Sequence, residues 1–597
     1  MMLKDVKSPD NLKELSIKEL NTLASEIREF LIDNLSKTGG HMSSNLGIVE
    51  MTIALHYVFN SPYDKFIFDV GHQSYVHKIL TGRSDKFDSL RKKNGLSGFI
   101  NYNESNHDVW EAGHSSTSLS AASGFLEAKE AGKDIGEVIT IIGDGSIPNG
   151  LSFEALNYLG AKTNQKSIII LNDNDMSISK NVGKLAKTMS KIRIKKSYSL
   201  FKRLTPKFIH RHFYKLKVAM RSYVYQPTFF SSLGFKYYGP IDGHNIEDLI
   251  KFFMFAKKTK SSVLLHVKTI KGKGYPFSEL DTTGIWHGVG PFDIKTGNSL
   301  NNNHIDYVNW GEGICQLLVD LYNDKVRVIT PAMISGSNLR GFQEKYPNSL
   351  IDVGIAEEHA VVMAGAMARN GLIPVVSIYS TFLQRAYDQL NHDVCRSNNH
   401  VIFLVDRAGI TGGDGSTHQG IFDISFMTAL PNIVISMPRN LSEAKGLLKL
   451  ALLENKPFVI RYPKSNVLNT VEDVDISLGT WEELYPISDI NILTYGDQLD
   501  KYILKLKDKD CGLINGRFIK PIDEVILKKL SNKKLIIIEE VVRNGSLASL
   551  ILDYNNRYKL NIEIESYAID DLFIDSGSID ELRKELKLDV DSILEKI

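Results

Sequence analysis

The stretch IIGDGSIPNG, residues 141–150, decides how this chain is to be read. It ends the apolar run EVITIIGDG on an aspartate, Asp144, held between two glycines, and it closes on Asn149 and Gly150. Gly and Asp are ordinary turn residues, so alone the motif reads as a turn. The stretch LNDNDM, residues 171–176, changes that reading. It arrives at the end of the next apolar run, KSIIILNDN, and offers the Asn174 amide oxygen and backbone carbonyls as companions to the Asp144 carboxylate. Oxygen donors of low total charge, leaving room for water and phosphate, suit Mg²⁺. Glycines flanking Asp144 let a diphosphate approach backbone amides closely.

Both motifs close strand-like runs, KFIFDVG, EVITIIGDG and KSIIILNDN, which alternate with helical stretches such as SLSAASGFLEAKEAGK and LSFEALNYLGAK. That is the pattern of a parallel sheet covered by helices, where ligands sit beyond the carboxyl ends of strands. Upstream, Ser16 and Glu19 form a capping box opening a helix with Leu20, Leu23, Ile27 and Leu31 on one stripe, stopped by Gly39 and Gly40. Downstream, the polar, Asn-rich FDIKTGNSLNNNHID (292–306) reads as a linker. A second alternating unit follows, with VRVITPA, SLIDVG, LIPVVSIYS, HVIFLVD, NIVISMP and FVIRYPK as strands, and then a smaller one with INILTYG, CGLING and KLIIIEE. Two similar α/β units suggest a ligand held between them.

Composition excludes several classes of function. Lys plus Arg total 71 against 70 for Asp plus Glu in 597 residues, so no global field recruits nucleic acid or an anionic membrane. Cys315, Cys395 and Cys511 form no C-x-x-C pair, which fits a reducing compartment and offers no zinc or disulfide framework. The start MMLKDVKSPDNLKEL lacks the apolar core of a leader, and no run approaches a membrane span, so a cytoplasmic chain is expected. One local asymmetry stands out: residues 176–241 contain no Asp or Glu but many Lys and Arg interleaved with aromatics, a solvated amphipathic insertion or a basic lid.

GDG followed by N-D-N resembles the thiamine diphosphate motif of the transketolase superfamily. The resemblance implies that Asp144, Asn174 and the carbonyl of Met176 hold a Mg²⁺ bridging the cofactor diphosphate. In the second unit VGIAEEHAV places Glu357 just after an apolar strand end. By residue type alone, an exposed glutamate opening a helix accounts for it. The resemblance instead sets Glu357 against the aminopyrimidine nitrogen, where a carboxylate enables removal of the thiazolium C2 proton. Phe382, in IYSTFLQRAYDQ, then stacks on the pyrimidine, with Tyr379 and Arg385 toward substrate.

Stretches similar to the 1-deoxy-D-xylulose-5-phosphate synthase family run almost the whole length, among them GGHMSSNLG, DVGHQSYVHKILTGR, GHSSTSLS, KGKGY, STFLQRAYDQ, DRAGITGGDGSTHQG, RYPK and GRFIKPID. The resemblance implies a three-domain transketolase-like α/β fold: a diphosphate- and Mg-binding domain over 1–300, a pyrimidine-binding domain over 306–468 and a C-terminal α/β domain over 486–597. It implies a homodimer that condenses pyruvate with D-glyceraldehyde 3-phosphate, releasing CO₂, at the first step of the non-mevalonate isoprenoid route, with thiamine and pyridoxal synthesis also fed. Glu357, His41, His418 and Asp414 are the implied catalytic residues. His72, Gly113, His114, Ser115, Gly145, Ser146, Tyr275 and His287 complete the cofactor set, Arg385 and Arg461 bind the substrate phosphate, and Arg407 lies in the same substrate pocket. His359 is left structural. Ile147 and Pro148 stand where the family more often has small residues or threonine. The alternatives are another thiamine diphosphate enzyme, such as a transketolase, or a silent paralogue.

Overall fold

The computed structural model describes residues 3–174, 229–300 and 306–596. Contacts divide the chain into two compact units, one of residues 1–90 and 96–300, the other of 91–95 and 301–597.

The first unit is built on five parallel strands in the order Lys65–Phe68, Val138–Gly143, Ile168–Asp173, Val263–Lys268, Lys236–Asp242. Its three central strands, Val138–Gly143, Ile168–Asp173 and Val263–Lys268, are largely apolar because both faces are covered. Successive side chains point to opposite faces. Ile139 and Ile141 join the core shared with helices Ile17–Thr38 and Val49–Val58, whereas Val138 and Ile142 pack with helices Ser118–Glu130 and Gly150–Ala161. The Ser16–Glu19 capping box opens the first long helix, and Gly39, at φ 71°, ends it.

Among the described residues the second unit carries two larger sheets and a two-stranded one, Tyr307–Asn309 with Asn466–Leu468. Seven strands run in the order Phe518–Lys520, Val434–Ser436, Phe458–Arg461, Ile402–Asp406, Ile373–Tyr379, Val326–Thr330, Leu350–Asp352. All neighbours are parallel except Phe518–Lys520, which arrives from the C-terminal part and pairs antiparallel with Val434–Ser436. The five-stranded sheet has the order Glu482–Tyr485, Gly512–Asn515, Ile490–Thr494, Lys534–Val542, Glu563–Ile569, antiparallel only at Glu482–Tyr485. This is the expected α/β architecture of two parallel-sheet domains and a smaller C-terminal one.

Two stretches differ from the sequence reading or escape it. Residues 292–300 of the expected linker fold onto the first unit: Phe292 is buried against Trp286 and Tyr275, and Phe292 pairs with Ser299. A single aromatic residue anchors a stretch that composition marks as loop. Met176 and residues 176–228 of the basic stretch lie outside the described residues. Its described end forms helix Phe229–Ser232 and the edge strand Lys236–Asp242, with Phe230 and Phe235 buried. Among the described residues no helix is long and apolar enough to cross a membrane.

Candidate functional site

In the first unit the strand Val138–Gly143 ends at Asp144, which is 3% exposed. The Asp144 N–H donates to the carbonyl of Asn172 at 3.2 Å, so the two motif-bearing strand ends are tied through the backbone. Gly145 N–H donates to Asp144 Oδ1 at 3.1 Å. The Ser146 carbonyl accepts from Ser116 Oγ at 3.1 Å and from Ser152 Oγ at 2.9 Å, joining this turn to the loop that carries Gly113, His114 and Ser115. Buried Asp69, just beyond the first strand, holds that loop by accepting from the Ser116 and Ser118 amides at 2.9 and 3.3 Å. Asn149 caps helix Gly150–Ala161. A Cβ built on Gly143 meets nothing within 4 Å, so the turn has open space beside it. Ile147 is buried in the apolar core while Pro148 is exposed, so Ile147 serves packing.

Sequence reasoning missed what lies behind Asn174. Asp173 is buried, accepts from His266 Nε2 at 2.6 Å and Lys268 Nζ at 3.0 Å, and His266 Nδ1 lies 2.6 Å from the Tyr237 hydroxyl. Burial opposes ionisation of Asp173, but His266 and Lys268 hold its carboxyl well below the usual range. The signal was present as a histidine inside the apolar run VLLHVK. Lys271, in the KGKGY stretch, has its ammonium brought down to about 8 by burial, against the pull of Asp144 and Asp281.

His41, His72 and His287 meet in one cluster, with ring centroids 5.2–5.9 Å apart. Phe99 packs on His41 at 5.1 Å, and the Tyr75 hydroxyl lies 3.3 Å from His41 Nδ1. Asn45 fixes the pair by donating to the carbonyls of His41 at 2.7 Å and His72 at 2.8 Å. Tyr275 is engaged elsewhere: its hydroxyl donates to the Ile294 carbonyl at 3.0 Å, and its ring packs on Trp286 and Phe292.

In the second unit Glu357 is the first residue of helix Glu357–Arg369 and is only 3% exposed, which rules out the solvated helix-opening glutamate. Its Oε2 makes no hydrogen bond, and the guanidinium of Arg385 stands 3.8 Å away. Burial pushes the carboxyl up to about 7, with Arg385 pulling the other way. His359 is exposed. Phe382 stacks parallel on Tyr379, centroids 5.4 Å apart, and meets the His418 ring edge-on at 5.5 Å. Arg407 pairs with Asp406 and lays its guanidinium 4.1 Å from the Tyr379 ring centroid. Asp414 is paired with Arg91 and, at 2.7 Å, with Lys464. Despite burial, these two cations hold its carboxyl well below the usual range. Burial lowers His418 to about 4, so its imidazole is neutral at pH 7. Lys464 and Arg91 were missed as site residues, although Lys464 ends the quoted RYPK.

Arg461, expected from the resemblance to bind a substrate phosphate, is held in a buried ion pair. Its guanidinium is 1% exposed and closed on Asp423 in a bidentate pair at 2.7 and 2.9 Å, with Met437 Sδ 3.3 Å from its remaining nitrogen. Two of its nitrogens form a charge-assisted fork on that carboxylate.

These groups fit the implied cofactor and metal. A buried carboxyl titrating near neutrality, with one oxygen lacking a hydrogen bond, can share a proton with a ring nitrogen. Among the described residues no three His, Cys, Asp or Glu side chains gather into a metal cluster. Oxygen donors such as those of Asp144 and Asn174 suit an ion that keeps water and phosphate ligands.

Comparison with known proteins covers the whole chain. Residues 3–269 match the family model described as 1-deoxy-D-xylulose-5-phosphate synthase, residues 308–469 that of the transketolase pyrimidine binding domain, and residues 479–593 that of the transketolase C-terminal domain. The 1-deoxy-D-xylulose-5-phosphate synthase of Clostridium acetobutylicum is 44% identical, over 100% of this chain and 99% of its own. That of Listeria welshimeri is 46% identical over 97% and 95%, and that of a Geobacillus species 44% over 99% and 98%.

Proposed function

Because this chain belongs to the 1-deoxy-D-xylulose-5-phosphate synthase family, thiamine diphosphate-dependent transferases that use a divalent metal such as Mg²⁺, we propose that it joins pyruvate and D-glyceraldehyde 3-phosphate into 1-deoxy-D-xylulose 5-phosphate with loss of CO₂, using the residues described above. The observation that carries this reading is the buried Glu357 carboxyl, with an oxygen free of hydrogen bonds and titration near 7. Thiamine diphosphate, when bound, supplies the electron sink for the carbon bond broken and the one formed.

The protein's residues divide the remaining work. Asp144 and Asn174 would hold the metal, joined by the carbonyl of Met176. Gly145, Ser146, Gly113, His114 and Ser115 would receive the diphosphate, and Glu357 and Phe382 the pyrimidine. Glu357 holds a proton at Oε2. His41, His72 and His287 stand as a cluster able to move protons and bind hydroxyl or carboxylate oxygens. His418 is neutral at pH 7 and can accept a proton, while Asp414 stays ionised between Arg91 and Lys464 and accepts from a substrate hydroxyl. Arg385 and Arg407 give the acceptor phosphate its cations, each charge-assisted bond contributing about 1.5–3 kcal/mol. Tyr379 orients Arg407 through its ring contact.

The same reading places the product upstream of isoprenoids, thiamine and pyridoxal, and the protein in the cytoplasm as a homodimer. Buried free cysteines accord with a reducing compartment. The test is incubation with pyruvate, glyceraldehyde 3-phosphate, thiamine diphosphate and Mg²⁺. CO₂ release with a five-carbon ketose phosphate is expected; ketol transfer from xylulose 5-phosphate, or calorimetry finding no thiamine diphosphate binding, would sink the reading. Asp144→Ala is expected to weaken Mg²⁺-dependent cofactor binding by more than the 10–100-fold typical of an outer-shell change. Chelation of the wild type should give the same loss in the calorimeter, reversed by Mg²⁺.

A further inference from the structure

The loop that carries Asp414 and His418 runs from Gly409 to Gly420, whose backbones pair with each other at 2.7 and 2.8 Å. Within it Gly412, Gly413 and Gly415 leave the chain little conformational preference of its own. Besides the Arg91 and Lys464 contacts to Asp414, the loop is held from the C-terminal part of the chain, 155 residues further on. Ser576 Oγ donates to the Gly415 carbonyl at 2.6 Å. Gln419, buried, donates from Nε2 to the carbonyls of Ile574 at 3.4 Å and Asp575 at 3.3 Å, while its Oε1 accepts from the Thr411 N–H at 2.8 Å. The approach is close: a Cβ on Gly415 would stand 2.5 Å from the Asp575 carbonyl. Ile410 and Ile421, on the two arms of the loop, pack in one apolar cluster with Ile574 and Leu582.

We propose that segment 574–577 of the C-terminal domain is the template for the Asp414–His418 loop, and that Gln419 and Ser576 are positioning residues for acceptor binding. The C-terminal domain thereby acts on the reaction without touching substrate. This rests on the reading above in which Asp414 and His418 meet the acceptor. A loop rich in glycine must lose much freedom to present two side chains at fixed places, and the Gln419 and Ser576 bonds absorb that cost before substrate arrives.

Gln419→Glu is the discriminating variant. It keeps the acceptor for Thr411 but sets a buried carboxylate oxygen against two carbonyls, so it breaks the link to the C-terminal segment and adds a repulsion that Ser576→Ala lacks. Ser576→Ala removes a single hydroxyl from a half-buried site and leaves folding secure, and Ser576→Thr retains the donor. KM for glyceraldehyde 3-phosphate is expected to rise roughly tenfold in Gln419→Glu and severalfold in Ser576→Ala, with Ser576→Thr close to wild type. The calorimetric Kd for thiamine diphosphate with Mg²⁺ should stay within about twofold. An unchanged acceptor KM in Ser576→Ala, or an equal loss of cofactor affinity, would overturn the proposal. Asp414→Ala separates the two readings: if it leaves acceptor KM unchanged, the assignment of the loop to the acceptor has failed; if it raises KM while Ser576→Ala and Gln419→Glu do not, only the template has failed.

Discussion

Glu357→Gln is expected to abolish turnover, by at least about 10²–10⁴-fold, while making the protein more stable above neutral pH. Glutamine keeps the shape at the start of helix Glu357–Arg369 but cannot hold and release a proton at Oε2. The stability gain follows from the same burial that makes the group useful. Its carboxyl is pushed from an ordinary 4.5 up to about 7. Between those values the native protein retains a proton that the unfolded chain has released, so stability falls as pH rises through that window and stays lower above it. A gap of this size corresponds to roughly 3 kcal/mol. Unfolding midpoints of variant and wild type should therefore coincide near pH 4.5 and separate by pH 8, with the variant higher. Retained turnover would remove Glu357 from the chemistry, and coincident midpoints at pH 8 would remove the buried carboxyl from the stability argument.

Arg461→Ala is expected to fail through folding. Deleting one partner of a fully buried, bidentate pair leaves Asp423 charged and unpaired in the core, a loss of about 3–5 kcal/mol. Soluble yield and unfolding midpoint should drop together, and Asp423→Asn should drop them too. Replacing both, Arg461→Met with Asp423→Leu, should restore most of the stability because no charge is left stranded. If Arg461 instead binds the acceptor phosphate, Arg461→Ala would fold normally and raise KM for glyceraldehyde 3-phosphate, and the double replacement would rescue nothing.

Arg461 also marks where sequence reading stops. RYPK places it at a strand end facing the right region, but its partner Asp423 lies 38 residues away and is brought in only by the stacking of helix Asp423–Thr428 against the sheet. The same holds for Asp173 and His266, 93 residues apart, which meet because neighbouring parallel strands put Leu171 opposite His266 and Asp173 opposite Lys268. Local signals carried further. The apolar runs KFIFDVG, EVITIIGDG and KSIIILNDN match three of the five strands of the first sheet, and the last two end where Asp144 and Asn174 stand. The edge strand Lys236–Asp242 was hidden inside a stretch singled out for its missing acids, since charge says little about a strand half-covered on one side. Glu357 was located by motif, yet whether it was solvated or buried depended on side chains packed around a helix start, which no local pattern encodes.

The antiparallel strand Phe518–Lys520 carries a consequence for how this chain can be divided. The matched pyrimidine-binding and C-terminal regions end and begin at residues 469 and 479, a tempting place to cut. A fragment ending there would lose the strand that closes the Val434–Ser436 side of the sheet and expose unpaired backbone as a template for aggregation. Modular in sequence, the two regions share a seam stitched from both sides, so they must be engineered as one piece.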